Sequence, residues 1–169
     1  MKIKWARINR QTHYWLSGLI ALPILIVIIT GILLILRKDI AWIQPPSMNG
    51  QGRIPTIPFS LVLQTSQTVP SANIQTWDDI SKLDVRPKKG IIKVRAKNRW
   101  EIQLDHQTAN ILQVAYRRSG LIESIHDGTF FNRGVSLGVF LPSAIILLIL
   151  WITGMYLFIK TMLNKKKRS

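Results

Sequence analysis

Residues 15–36 read WLSGLIALPILIVIITGILLIL, and residues 135–159 read VSLGVFLPSAIILLILWITGMYLFI. Neither stretch contains a charged side chain. At a helical rise of about 1.5 Å per residue, each is long enough to cross the roughly 30 Å hydrocarbon core of a bilayer. The two stretches therefore predict two transmembrane helices that flank everything between them.

Charge is distributed unevenly along the chain, which has 23 Lys and Arg against 8 Asp and Glu, a net charge of +15. The tails at 1–14 and 160–169 are basic and contain no acidic residue. Short basic segments beside a span stay in the cytoplasm. We therefore expect a multi-pass protein of the bacterial inner membrane, with both termini cytoplasmic and residues 37–134 periplasmic.

A cleaved signal peptide is the alternative for the first apolar stretch, because basic residues precede it. The stretch is longer than the usual apolar region of a signal peptide, about 7–15 residues, and no small-x-small cleavage site follows it. An uncleaved membrane anchor is the expectation.

Several classes of protein are excluded by composition and by missing motifs. The absence of cysteine excludes disulfide scaffolds, Cys-ligated metal sites and thiol catalysis. The sequence contains no HExxH motif, no Ser–His–Asp signature and no glycine-rich phosphate loop. We do not expect a self-contained hydrolase, and the adjacent Asp78 and Asp79 are interpreted as a cap of a helix or turn.

The region between the spans predicts a small α+β domain. Residues 37–57, rich in Pro and Gly, are expected to connect the first span to a domain at 58–134 without regular structure. A helix is predicted over 59–69, between Pro58 and Pro70. Alternating apolar and polar residues then predict an antiparallel meander of three or four strands, packed with one or two helices, with turns at 97–98 and 105–110.

Basic side chains interleave with apolar ones in this predicted sheet: Lys88, Lys89, Lys93, Arg95, Lys97 and Arg99. Such a pattern can form a nucleic-acid surface, but the expected periplasmic location argues against that partner. We expect the solvated face of an amphipathic sheet, lying beside an anionic bilayer or docked to an acidic partner.

Small residues in both spans are spaced for close helix packing. Gly134 and Gly138 form a GxxxG pattern at the second span, and Ser17 and Ala21 a small-xxx-small pair in the first. We expect the lipid bilayer as one partner, and a homodimer or other subunits of a membrane complex as further partners.

The chain has three histidines, and two of them lie at span ends. His13 lies at the inner end of the first span and His126 shortly before the second. His106 lies in the predicted turn at 105–110, where we expect it to be structural or solvated. An imidazole at a membrane-helix end is a functional hypothesis by default, since neutral imidazole binds haem iron. The alternative is an interfacial or hydrogen-bonded histidine without a ligand.

An ordered series of motifs resembles the PepSY-associated transmembrane family over about residues 7–160. The residues that carry it are Arg10-x-x-His13, Thr30-Gly31-x-x-Leu34, Pro87-x-x-Gly90, Glu101-Ile-x-Leu-Asp105, His126-Asp-Gly128 and Thr153-Gly154.

The larger members of that family resemble ferric-siderophore reductases with four or more spans, haem b held by histidines, and electron transfer across the membrane. The resemblance implies that His13 and His126 are ligands of haem iron. Since they are expected near opposite faces of the membrane, roughly 30 Å apart, one chain cannot clamp one haem with both. A second copy or another subunit must then supply the missing ligand.

The resemblance therefore implies an accessory or haem-binding subunit of a membrane redox or iron-related complex, which is not expected to be catalytic alone. This sequence has one helix pair and no flavin or nicotinamide domain. The alternative follows from the association of PepSY domains with peptidase propeptides. In that case the chain is a non-catalytic, membrane-anchored module for protein interaction or peptidase regulation.

Overall fold

The computed structural model describes residues 5–166. The tail cations Lys2, Lys4, Lys167 and Arg168, on which the predicted orientation partly rests, lie outside them. The chain divides into two compact units. The helical unit comprises residues up to 32 and from 123 onward, and the sheet unit comprises residues 33–122.

Both predicted spans are helical. Helix α1 covers Trp5–Ile35, and helix α5 covers Leu141–Lys166. Two helical stretches, Arg10–Lys38 and Arg133–Leu163, are long and apolar enough to cross a membrane. Only 11% and 17% of their most apolar 18 residues are buried, whereas a core helix of a soluble protein would be mostly buried. These exposed apolar surfaces indicate a membrane protein in contact with lipid.

Helix α5 is preceded by two irregular helical segments. The single turn α4, Arg133–Val135, leads into a π-helical segment, Ser136–Phe140. In that segment the Leu141 N–H donates to the Ser136 carbonyl. Pro142 follows, and it has no N–H to donate to the carbonyl one turn back. The wider π turn therefore lies where the regular α-helical hydrogen bonds are interrupted.

The meander predicted between the spans is a four-stranded antiparallel sheet in the order β1-β2-β3-β4. The strands are β1, Ile80–Arg86; β2, Ile91–Ala96; β3, Trp100–Asp105; and β4, Ile111–Tyr116. Two α-helices accompany it, α2 at Phe59–Gln67 and α3 at Ser119–His126, with short 3-10 turns at Leu36–Lys38, Pro70–Ala72, Trp77–Asp79 and Pro87–Lys89. Asp79 accepts from the N–H groups of Gln75 and Thr76 and so caps a turn, as predicted.

One face of the sheet forms the apolar core of the sheet unit. Helix α2 contributes Val62, which is fully buried together with strand residues Val94, Ile102 and Leu104. These strand residues are every second residue of β2 and β3, because successive side chains of a strand point to opposite faces. The alternation in the sequence therefore located this core correctly.

The opposite face is not solvated, and that expectation is wrong for its central residues. Lys93, Glu101, Gln103 and Asp105 are each at most 2% exposed. The segment at 43–51, which has neither α-helix nor strand, lies across them as a strap. Its Met48 N–H donates to Gln103 Oε1 at 2.8 Å, and Gln103 Nε2 donates to the Pro46 carbonyl at 2.9 Å.

Candidate functional site

His126 is the last residue of α3 and is half-buried against α1. Its Nδ1 lies 2.9 Å from the Thr30 hydroxyl oxygen. A Cβ added to Gly31 would lie 3.5 Å from its Cε1, which is ordinary van der Waals contact. The structure thus brings together two motifs that are far apart in sequence, Thr30-Gly31 and His126-Asp-Gly128.

The surroundings of the Thr30 hydroxyl favour one tautomer of His126. A hydroxyl has one hydrogen, and the Thr30 oxygen lies 2.5 Å from the Ile26 carbonyl oxygen and 3.2 Å from that of Val27. With its hydrogen on the Ile26 carbonyl, the hydroxyl can only accept from His126, so Nδ1 donates and Nε2 keeps a free lone pair. This is the arrangement that orients histidines which ligate metals.

The residues after His126 hold the chain in a tight turn. The Asp127 Oδ1 accepts from the Thr129 N–H at 2.9 Å, and the Asp127 carbonyl accepts from the Ser136 hydroxyl at 2.6 Å. Gly128 has φ +77°, and a Cβ there would lie 2.6 Å from the Phe140 ring. The turn requires glycine at this position, and it fixes the end of α3 that presents His126.

His13 lies on the same helix as Thr30 but far from it. Its side chain is exposed on the surface of α1. His13 and Thr30 are 17 residues apart on the continuous helix α1, a separation of about 25 Å. The structure therefore separates His13 from His126, as the sequence predicts, and one chain cannot place both on one iron atom.

His106 follows β3 and is fully buried in the sheet unit. Its backbone N–H donates to the Gly90 carbonyl, and its carbonyl accepts from the Thr56 and Ile57 N–H groups. Neither ring nitrogen has a hydrogen-bond partner among the described residues. The prediction that His106 is solvated is therefore wrong, and the alternative that its role is structural stays a prediction.

A buried ionic cluster occupies the centre of the polar face. Lys93 Nζ lies 2.9 Å from Glu101 Oε1, and both side chains are 1% exposed. Arg95 Nε lies 3.3 Å and Arg117 Nε 3.7 Å from Glu101 Oε2. Burial lowers the pKa of Lys93, although the hydrogen bond to Glu101 opposes that shift. Glu101 therefore balances charge from three neighbouring cations.

Two further carboxylates of the sheet unit are held ionised. The hydrogen bond from Arg86 lowers the pKa of Asp84. Burial alone would raise the pKa of Asp105, but the N–H groups of Gln107, Thr108 and Gln51 donate to it and together lower it. The Gln51 bond, at 2.7 Å, ties the strap to the sheet.

The residues expected to pack helices have different surroundings. Among the described residues outside its own helical backbone, no atom lies within 4 Å of a Cβ added to Gly138, and a Cβ on Gly134 would lie 3.0 Å from Asn132 Oδ1. Ser17 is half-buried and Ala21 is exposed. Their role in packing against another molecule stays a prediction.

The sequence does not mark Thr30 as a site residue, although Thr30-Gly31 is one of the motifs that carry the family resemblance. A hydroxyl one turn from the end of an apolar stretch is the signal that could have found it.

Among residues 5–166, no group of three or more His, Asp or Glu side chains is placed to hold a metal ion.

Comparison with known proteins gives one match. The family model for the PepSY-associated TM region matches residues 10–169. No curated protein and no solved structure matches the chain.

Proposed function

The chain belongs to the PepSY-associated TM region family, and from that premise we propose that it is an accessory or haem-binding subunit of a redox or iron-related complex in the bacterial inner membrane. Its basic tails would lie in the cytoplasm and the region 37–134 in the periplasm, which the distribution of charge supports. The family and the two exposed apolar helices indicate a membrane protein with a PepSY-type domain.

The contact between Thr30 and His126 carries the proposal. A histidine that merely caps a helix needs neither a fixed tautomer nor a free ring nitrogen. Here Nδ1 is bound by a hydroxyl whose own proton goes to a backbone carbonyl, and no described residue hydrogen-bonds Nε2. Nε2 is thus ready to donate its lone pair to an iron atom.

The residues present fit part of a haem b site. His126 would hold the haem iron near one end of α1, and His13 would do so near the other end. Haem b, when bound, supplies one-electron chemistry. Because each end offers a single histidine, a second copy of the chain or another subunit must complete each site.

Absorption spectra of the detergent-solubilised full chain, oxidised and reduced with dithionite, test this role. We expect a Soret band that is lost in His126→Ala or His13→Ala, according to which end binds haem. Thr30→Val should weaken or shift the band if His126 is the ligand. Thr153→Val is the matched control, because Thr153 makes the same bonds to preceding carbonyls, of Ile149 and Leu150, within α5.

A colourless, folded protein from cells supplied with haem would contradict the proposal. Equal effects of Thr30→Val and Thr153→Val would show that Thr30 does not act through His126.

The second candidate is a non-catalytic module for protein interaction or peptidase regulation. One observation favours it: β1 and β4 are the edge strands of the sheet, so each can pair with a strand from a partner. Crosslinking of the full chain in membranes, followed by native extraction, tests this role. A defined partner whose recovery falls when Ile111→Pro alters the β4 edge would support it, and recovery of the chain alone would count against it.

A further inference from the structure

The basic residues at one end of the sheet surround a small pocket. Its volume is about 170 Å³, and it is lined by Ser81, Arg95, Ala96, Lys97, Arg99, Arg117 and Gly120. We propose that this pocket binds a phosphate group, either as free phosphate or as the phosphate of a lipid headgroup. The inference is independent of haem binding.

Three parts of the sheet unit meet at this pocket, so it is built by the fold. The Ser81 hydroxyl of β1 donates to the Arg95 carbonyl of β2 at 3.0 Å. The Arg117 N–H, after β4, donates to the Arg99 carbonyl in the β2–β3 turn at 2.9 Å. These bonds fix the backbone on which the basic side chains stand.

The charges around the pocket leave positive charge for a ligand. Four of its lining residues are cationic and none is acidic. Glu101, which is 1% exposed, pairs with Lys93, Arg95 and Arg117. Asp84 pairs with Arg86 and Arg95, and the Asp79 carboxylate interacts electrostatically with Lys97. Three carboxylates thus stand against six cations, and the cluster keeps an excess of positive charge.

The backbone at Arg99 supports a role for its side chain. Arg99 has φ +73°, a conformation that favours Gly or Asn in a hairpin turn. An arginine there costs conformational energy, and strained residues of this kind cluster at ligand sites. The turn at Arg99 thus places one more cationic side chain at the pocket.

The lining chemistry suits a phosphate. Guanidinium groups donate paired hydrogen bonds that match the oxygens of phosphate, and three arginines line the pocket. Gly120, in the first turn of α3, completes the lining. A pocket of this volume holds a compact ion rather than an extended substrate.

The test is calorimetric titration of the full chain in neutral detergent with inorganic phosphate and, separately, with a short-chain phosphatidylglycerol. The pocket variant is Lys97→Gln with Arg99→Asn, which leaves Arg95, Arg117 and their partner Glu101 intact. The matched control is Lys88→Gln with Lys89→Gln, two exposed lysines in another turn of the same unit.

We expect saturable binding that weakens at least about tenfold in the pocket variant and stays unchanged in the control. Binding of inorganic phosphate would identify free phosphate as the source, and binding of phosphatidylglycerol alone would identify a lipid headgroup. No saturable binding of either, equal losses in both double variants, or equally tight binding of acetate would overturn the proposal.

Discussion

Single residues decide how His126 is presented. The imidazole depends on one hydroxyl, that of Thr30, and on the turn that begins at Asp127. The contact with Thr30 does not follow from local sequence, because Thr30 and His126 are 96 residues apart, whereas the Asp127 turn joins neighbouring residues. The sequence shows that both residues are present, but it does not show that they are in contact.

Gly128 is the residue whose replacement should disturb this turn most. Gly128→Ala places a methyl group 2.6 Å from the Phe140 ring at φ +77°. We expect a loss of about 1–3 kcal/mol in the free energy of unfolding, from strain and overpacking. Thermal unfolding of the chain in detergent measures it. Gly154→Ala, in open space on α5, is the control and should be neutral or slightly stabilising.

Among the elements of the fold, the polar face of the sheet is stabilised by an ion pair between two buried side chains, Lys93 and Glu101. Removing one partner of a buried ion pair leaves an uncompensated charge and costs about 3–5 kcal/mol. Because three cations face Glu101, Glu101→Gln should destabilise the sheet unit more than Lys93→Met does. Denaturant unfolding monitored by tryptophan fluorescence measures both.

Asp84→Asn supplies the comparison for that experiment. Asp84 pairs with Arg86 at 2.8 Å, but the two side chains are 25% and 36% exposed. Partly exposed pairs contribute little, so the loss should be below about 1 kcal/mol. A larger loss for Asp84→Asn than for Glu101→Gln would contradict the assignment of Glu101 as the central counterion.

The attachment of the strap predicts a dependence on pH. Asp105 and Asp84 have pKa values below the ordinary 3.8 in the folded chain. Their stabilisation is therefore complete above that value and is lost as the pH falls below it, through the folded values. Unfolding followed between pH 6 and about pH 2 should show this loss, and Asp105→Asn should make the acid limb shallower. An identical acid limb in the variant would exclude Asp105 as a contributor.

At the scale of the whole molecule, the orientation across the membrane is directly testable. The chain contains no cysteine, so single cysteines report accessibility without background. We expect Lys88→Cys to react with an impermeant thiol reagent added to intact spheroplasts. Gln11→Cys should react only after the membrane is opened. The reverse pattern would invert the proposed topology.

The two apolar helices, the meander of strands and its apolar core could be predicted from the sequence alone. Those features follow from the length and period of apolar runs, which are local properties. The sequence did not determine that the residues at 43–51 cover the second face, or that Lys93 is buried there. Both depend on pairing across more than fifty residues, as between Met48 and Gln103.

Tertiary structure likewise decided the two candidate sites. The His126 Nδ1 meets the Thr30 hydroxyl of another helix only in the folded chain. Scattered basic residues become a pocket only when strand register and the turn at Arg99 bring them to one end of the sheet. Composition fixed the amount of charge, but hydrogen bonds between distant segments fixed which charges are buried and which surround the pocket.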